Sequence, residues 1–267
     1  MSGNVELYNN VYGNPAAAAY SEIRSETYGE DFGQTGWMTP EEFHKIPDYL
    51  ALTQASYILE VGSGAGGCAL HLAGALSCRV IGLDLNPEAI RTSNALAQVR
   101  GLAGLVEFKL GNASERLPFE DGSLDAAYSN DAICHVPGRA ALLTEFHRVL
   151  KSGGRLLYSD ALVVSGLVTN EELATRSSIG YYLFAPIGEN ERLIEASGFK
   201  LLSASDASES TAAIAQRWHD ARARRKADLI RLEGEANFSG LQKFLKCVHT
   251  LTREKRLSRF LYLARKK

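Results

Sequence analysis

The sequence predicts an α/β fold: a Rossmann-like, mainly parallel sheet with helices on both faces, preceded by an N-terminal arm. Three observations carry that prediction. From Tyr57 to Asp160, apolar β-type runs alternate with helical stretches, the rhythm of parallel strands joined by crossover helices. The first run, Tyr57 to Val61, opens straight into Gly62-Ser63-Gly64-Ala65-Gly66-Gly67, a tight strand-to-helix turn of the kind that cradles a nucleotide-type cofactor. The second run, Arg79 to Asp84, ends on an acid 22 positions after Gly62, about where such folds place a carboxylate for ribose hydroxyls.

Residues 1–36 form an arm without strong periodicity, in which Tyr8, Tyr12, Tyr20 and Tyr28 stand among Gly, Asn and Ser. Such a stretch is irregular or short-helical and builds no core of its own, so its aromatics must pack elsewhere. A helix is expected from Thr39 to Leu50, with Thr39 as N-cap, Pro40 at the first helical position, and Glu41 and Glu42 at the positive end of the dipole. After the first strand come a helix from Cys68 to Leu76, the second strand, a helix from Pro87 to about Arg100, and a third strand from Leu105 to Leu110. Leu124 to Asn130, Gly138 to Val149 and Gly154 to Asp160 read as strand, helix and strand, with Lys151-Ser152-Gly153-Gly154 as a helix-stopping turn. Beyond Ala161 the rhythm changes to a polar-aromatic stretch. A helix is expected over Gly188 to Ser197, a strand over Phe199 to Ala204, a charged helix over Ser210 to Leu232, another over Leu241 to Lys255, and a last strand over Arg259 to Ala264. The division that follows is an arm and first helix (1–50) and a sheet domain (51–267) with helical insertions at about 165–198 and 208–256.

Composition narrows the partners. A chain of 267 residues that is 45% hydrophobic and 22% charged has material for one sizeable core. A net charge of -2 supplies no field for drawing it to nucleic acid or an anionic membrane, so a small-molecule partner is expected. In the run Arg222, Arg224, Arg225, Lys226, basic residues alternate with nearby acids and read as a solvated face. The opening residues carry no apolar run behind a basic region, and no uncharged apolar stretch of about 18 residues occurs, so a cytoplasmic protein, monomeric or homodimeric, is expected. Cys68, Cys78, Cys134 and Cys247 are dispersed without C-x-x-C, which argues for reduced thiols and against a zinc site or any other metal centre.

The glycines alone do not choose the cofactor: Gly62, Gly64 and Gly66 give G-x-G-x-G, and Gly62, Gly64 and Gly67 also satisfy the dinucleotide pattern. Other residues break the tie. Glu60 two positions before Gly62, Leu117-Pro118-Phe119 to Asp125 before the fourth strand, and a terminal strand pair around Phe199 and Phe260 resemble class I S-adenosylmethionine (SAM)-dependent methyltransferases. That resemblance implies a seven-stranded sheet in the order 3-2-1-4-5-7-6 with an antiparallel last strand. It also implies that SAM is the cofactor, S-adenosylhomocysteine the product, Asp84 the ribose ligand, and Leu85 an adenine contact with Asn112 and Ala113 at the edge of the base. Gly62 and Gly64 would line the methionine end, Glu60 would act through water or the loop backbone, and Ser63, Trp37 and Asn130 complete the expected cofactor contacts.

The likeness narrows further. The segment Tyr128-Ser129-Asn130-Asp131-Ala132-Ile133-Cys134-His135, the tyrosines Tyr20 and Tyr28 before Phe32-Gly33, and the tail Arg259-Phe260-Leu261-Tyr262 are similar to the phosphoethanolamine and sarcosine/dimethylglycine N-methyltransferases. The implied catalytic pair is Tyr20 with His135, both also touching the cofactor, and the implied substrate contacts are Tyr28, Asp131 and Tyr182. The arm would be a lid, with Tyr20 meeting His135. Ala161, Gly180 and His249 stand where the phosphobase enzymes use a tyrosine, an arginine and a lysine, so the partners a phosphomonoester needs are missing. The expected reaction is therefore in-line, metal-free methyl transfer to an amine nitrogen other than that of phosphoethanolamine. Oxygen or carbon methylation of a natural-product-type molecule is the alternative, and an NAD-dependent oxidoreductase or a non-catalytic SAM-binding module would share the glycine loop.

If Asp84 holds the ribose, Asp84→Ala should weaken SAM binding by roughly 1.5–3 kcal/mol for each charge-assisted bond lost. Calorimetric titration with SAM and with NAD(H) checks this, and an unchanged SAM dissociation constant would remove Asp84 from the site.

Overall fold

The computed structural model describes residues 7–13 and 18–267. Residues 1–6 and 14–17 lie outside the described residues, and with them half of the opening segment, residues 1–12, on which the reading of export rested. The elements are α1 (Tyr8–Gly13), α2 (Ala18–Tyr28), α3 (Pro40–His44), α4 (Ile46–Leu50), β1 (Tyr57–Val61), α5 (Gly67–Leu76), β2 (Arg79–Asp84), α6 (Pro87–Val99), β3 (Val106–Leu110) and β4 (Leu124–Ser129). A short 3-10 turn (Ile133–His135) leads to α7 (Arg139–Val149), β5 (Leu150–Val164), α8 (Asn170–Arg176), β6 (Ala185–Pro186), α9 (Glu189–Ala196) and β7 (Phe199–Asp206). The chain then runs through α10 (Ser208–Arg224), α11 (Lys226–Glu233), α12 (Glu235–Arg253) and β8 (Leu257–Lys266).

The strands form one sheet in the order β3-β2-β1-β4-β5-β8-β7, with β6 paired beside β5 off that path. The first five strands pair in parallel, and β8 runs antiparallel to both β5 and β7. With the two-residue β6 set aside, this is the expected seven-strand order; β6 itself, too short to leave a pattern, brings the sheet to eight strands. Neighbouring residues of a strand bury on opposite faces. Leu59, Val61, Ile81 and Leu83 pack with Leu143 and Phe146 of α7. Ile58, Val80 and Phe108 pack on the other side with Leu70, Leu72 and the α3–α4 residues Phe43 and Ile46. Burial on both faces is why β1 and β2 are mostly apolar, with Glu60 the charged residue inside β1 and Arg79 and Asp84 at the ends of β2.

A third cluster sits beyond the carboxyl ends of the strands, where Tyr20 and Ile23 of α2, Trp37, Ile214 and Trp218 of α10, and Phe244 of α12 pack together. The arm thus finds its core against the late helices. Arg225, between α10 and α11, pairs with Glu22 of α2 at 2.9 Å, and Arg224 and Arg225 both reach Glu26.

Several expectations need correction. The helix at Thr39–Leu50 is two helices: Thr39 caps α3 in a full capping box with Glu42, and Lys45 divides α3 from α4 because Pro47, which has no N–H to donate, suits only a first helical turn. The charged helix at Ser210–Leu232 also breaks, at Arg225, and the return of α11 brings buried Glu233 onto buried Arg222. Arg222 is therefore no part of a solvated face, whereas Arg224 is. The Lys151–Gly154 turn belongs to a bulged start of β5. The capped helix α8 lies inside the polar-aromatic stretch after Ala161, within the helical insertion expected at about 165–198. All four cysteines are free thiols, with Cys68, Cys78 and Cys134 buried. No metal-binding cluster of His, Cys, Asp and Glu occurs among the described residues, nor does a helix long and apolar enough to cross a membrane.

Arg259, on β8, joins these layers. Its fully buried guanidinium donates from Nε to Asp131 after β4 and from Nη1 to Glu42 of α3, each at 2.8 Å, and from Nη2 to Asn130 Oδ1 at 3.3 Å. Removing the cation strands two carboxylates. Arg259→Met should cost on the order of 3–5 kcal/mol, measured by urea unfolding, with SAM binding weakened in parallel because Asp131 and Trp37 lose their anchor.

Candidate active site

A cleft of about 660 Å³ opens at the carboxyl ends of β1, β2, β3 and β4, next to the point where the strand order reverses between β1 and β4. Open α/β sheets bind ligands at this position. It is lined by the glycine loop, Asp84 to Pro87, Gly111 to Ser114, Asn130 to Pro137, and residues from the arm and the late helices.

One half is built mainly of backbone. Gly62, Gly64 and Gly66 all have positive φ (75°, 52° and 80°), the left-handed region that only glycine enters without strain. A Cβ at Gly62 would stand 2.2 Å from that of Ala132, and one at Gly67 would stand 1.6 Å from the Phe32 carbonyl. The loop is held down by Gly62 N–H donating to the Leu83 carbonyl at 2.8 Å. Asp84 accepts from Gly64 N–H and Asn86 N–H, both at 2.8 Å; burial pushes its carboxyl up, and those amides oppose the shift. Leu85 beside it is 69% exposed. Asn112 is oriented by its own turn, its carbonyl accepting from Ser114 N–H at 2.9 Å and its amide donating to Glu115 at 3.1 Å. The Tyr12 hydroxyl lies over Gly64, where a Cβ would be 2.7 Å away, and within 3.3 Å of the Thr35 hydroxyl.

Glu60 sits beneath the loop. It accepts from Ala69 N–H in the first turn of α5 at 3.2 Å, and burial pushes its carboxyl up to about 8.

The other half is walled by aromatic residues. His135 Nδ1 lies 2.8 Å from the Tyr181 carbonyl, which can only accept, so this nitrogen carries the proton and Nε2 the lone pair. Tyr8 donates its hydroxyl to Nε2 at 3.4 Å. Burial lowers the His135 pKa below its ordinary value. The Tyr182 ring packs 4.3 Å from the imidazole, and Trp37, Trp218, Ile179, Phe244 and Arg176 complete the wall.

Of the site residues read from the sequence, all but Tyr20 and Tyr28 line this one cleft. The expected Tyr20–His135 contact is absent. The Tyr20 hydroxyl donates to Glu233 at 3.2 Å, because α2 turns its buried face to the late helices. Tyr8 occupies the place beside His135. Tyr28 stands behind the wall, donating to the Gly36 carbonyl at 2.8 Å with its ring against Trp218. Asp131 does line the cleft, but its oxygens are taken by Arg259, Ser159 and Trp37 N–H at 2.7–2.8 Å. It anchors the wall and is not free to face a substrate amine. Sequence reading did not single out Tyr8, Tyr12 or Arg176 for the site. The i, i+4 spacing of the two tyrosines, which puts them on one helix face, was the available signal.

A family model for a methyltransferase domain matches residues 59–158. The chain is 30% identical over 163 residues to the O-methyltransferase rstn1 of Aspergillus nomiae, covering 61% of this chain and 72% of that protein. The chain belongs to the SAM-dependent methyltransferases. It is also 35% identical over 107 residues to the sarcosine/dimethylglycine N-methyltransferase of Halorhodospira halochloris, a match covering 40% of this methyltransferase and 38% of that one. Its fold superposes on a Haemonchus contortus phosphoethanolamine N-methyltransferase in complex with phosphomonomethylethanolamine and S-adenosylhomocysteine with a TM-score of 0.79 at 19% identity, over 97% of this chain and 61% of that one. Membership of that family makes SAM the cofactor. The cleft has features that fit that molecule: a glycine loop too closely packed for side chains, a carboxylate at the end of β2, and an exposed leucine beside it.

The raised pKa of Glu60 has a definite sign. The folded methyltransferase keeps a proton that the unfolded chain releases above about 4.5. The stability this group contributes is therefore full below pH 4.5 and is lost as pH rises toward 8. Glu60→Gln keeps an acceptor for Ala69 N–H without the titration, so without SAM it should gain on the wild type by a few kcal/mol between pH 5 and pH 8. Urea unfolding at both pH values measures the gain; equal pH dependence in the two proteins would refute it.

Proposed function

We propose that the methyltransferase acts on a hydroxyl oxygen of an aromatic-sized small molecule, with His135 taking the hydroxyl proton. The observation that carries this reading is the state of His135, whose Nδ1 is committed to the Tyr181 carbonyl and whose Nε2 lone pair meets Tyr8 at the cleft wall. Burial keeps the ring neutral at pH 7. An alcohol or phenol is a weak nucleophile until its proton leaves, so a neutral imidazole is the matching base.

The cofactor half is assigned in the same proposal. Asp84 would accept from the ribose hydroxyls, Leu85 and Ala113 would flank the adenine, Asn112 would edge it, and Gly62, Ser63 and Gly64 would border the methionine end together with Glu60, Trp37 and Asn130. When bound, SAM supplies an electrophilic methyl group on a sulfonium. The chain's own residues orient the acceptor, hold its proton on His135 Nε2 and keep water out with Tyr8, Trp37 and Tyr182.

Amine methylation is the second reading, favoured by the likeness to the sarcosine/dimethylglycine enzyme. An ammonium substrate calls for a free carboxylate near His135, and the acid on that wall, Asp131, is already paired with Arg259.

His135→Ala should lower turnover by about 10²- to 10⁴-fold with SAM affinity little changed. The wild-type rate should fall only as pH drops below the ordinary histidine range, since the imidazole must be neutral and its pKa lies below that value. Mass spectrometry of products from a panel of phenols, alcohols and amines tests both halves of the reading. Methyl recovered on nitrogen alone, or wild-type turnover in His135→Ala, would overturn it.

A further inference from the structure

Arg176 ends α8 with only 2% of its surface exposed, and it lines the acceptor half of the cleft. Its guanidinium carbon lies 4.9 Å from the Tyr182 ring centroid, 5.0 Å from that of Phe244 and 5.9 Å from that of Trp37. Ring faces stabilise the charge but accept none of the N–H bonds a guanidinium offers in its plane; of these neighbours only the Tyr182 hydroxyl is hydrogen-bonded to Arg176. Nη1 is buried with no hydrogen-bond partner.

The other buried arginines show what is missing. Arg139 meets Asp160 at 2.7 Å, Arg222 meets Glu233, and Arg259 meets Asp131 and Glu42. Arg176 forms no such pair among the described residues, and the nearby acids are engaged elsewhere: Glu172, one turn earlier on α8, with Arg256 at 2.8 Å, and Asp131 with Arg259. Arginine does not shed its proton when buried, so this charge awaits an anion from outside the chain.

We infer that Arg176 is the anion-binding residue of the acceptor pocket and that the methyl acceptor is an aromatic or unsaturated carboxylic acid. Its carboxylate meets the free edge of Arg176, and its planar body lies among Trp37, Tyr182 and Phe244. A carboxylate fits better than a phosphomonoester. Arg176 is the one arginine or lysine among the described residues lining the cleft, and a single guanidinium balances one negative charge where a phosphomonoester brings nearly two. The inference rests on the proposed seat of the acceptor beside His135, and it holds whichever atom receives the methyl group.

Binding without turnover separates the two ideas. With S-adenosylhomocysteine saturating, calorimetric titration of 4-hydroxybenzoate and 4-hydroxycinnamate against their methyl esters should show each acid binding the wild type at least tenfold more tightly than its ester. Arg176→Met should level acid and ester while still binding S-adenosylhomocysteine, and Arg176→Lys should restore part of the preference. Should Arg176→Met fail to fold, the wild-type comparison decides alone. Esters binding as well as acids, a preference that survives in folded Arg176→Met, or no binding of either acid at millimolar concentration would overturn the inference. A nitrogen-methylated product would touch only the proposed function.

Discussion

The buried guanidinium of Arg259 is the constraint on which the cleft depends. It sits on β8, the antiparallel strand between β5 and β7, and reaches across to Asp131 after β4 and Glu42 on α3. Burial alone would push its pKa down, and the two carboxylates more than reverse that shift. Each partner in turn fixes something else. Glu42 closes the capping box that starts α3. Asp131, held at φ 51°, accepts from the Trp37 backbone and so ties the end of the arm to the floor of the cleft. A sheet edge, a helix start and an aromatic wall thereby share one charge cluster whose geometry tolerates little slack, because Arg259 is fully buried, Asp131 nearly so, and the guanidinium would be costly unpaired.

The two halves of the cleft follow different physical rules. Around the glycine loop the contacts are short backbone bonds on positive-φ glycines, which set a rigid cradle that the Tyr12 hydroxyl approaches at Gly64. Around His135 the wall is made of large rings from elements far apart in sequence: Tyr8 from α1, Trp37 from the end of the arm, Tyr182 from the loop after α8, and Phe244 from α12. Rings define shape without satisfying charge. That is why Arg176 stands out in such a wall, and why the imidazole, desolvated and facing a cation, stays neutral.

Local pattern explains what was legible. Thr39 caps its helix through Glu42, Asn86 and Pro87 begin α6, and both faces of β1 bury leucine and isoleucine, all consequences of short-range rules. Helix breaks were harder to see. The division at Lys45 and the one at Arg225 each depend on where the next helix must dock, and α8 carries too few apolar residues to announce itself. Tyr20 illustrates the limit for the site: sequence places a tyrosine on a helix, but only the packing of α2 on α10 shows that its hydroxyl faces Glu233 while Tyr8 faces His135.

By itself, the sequence determined the parallel strand core, the glycine cradle and the acid at the end of β2, because each is written in adjacent residues whose backbone conformation or burial leaves few choices. The tertiary structure decided which charges are free. Asp131, Arg222 and Arg176 look alike as ionisable residues on a chain. Their difference, the first two in ion pairs and the third not, comes from contacts over more than a hundred residues for Asp131, a helix reversal for Arg222, and the absence of an acidic partner for Arg176 among the described residues. Long-range pairing of this kind has no local signal, since the desolvation that makes it matter exists only once the late helices close over the sheet.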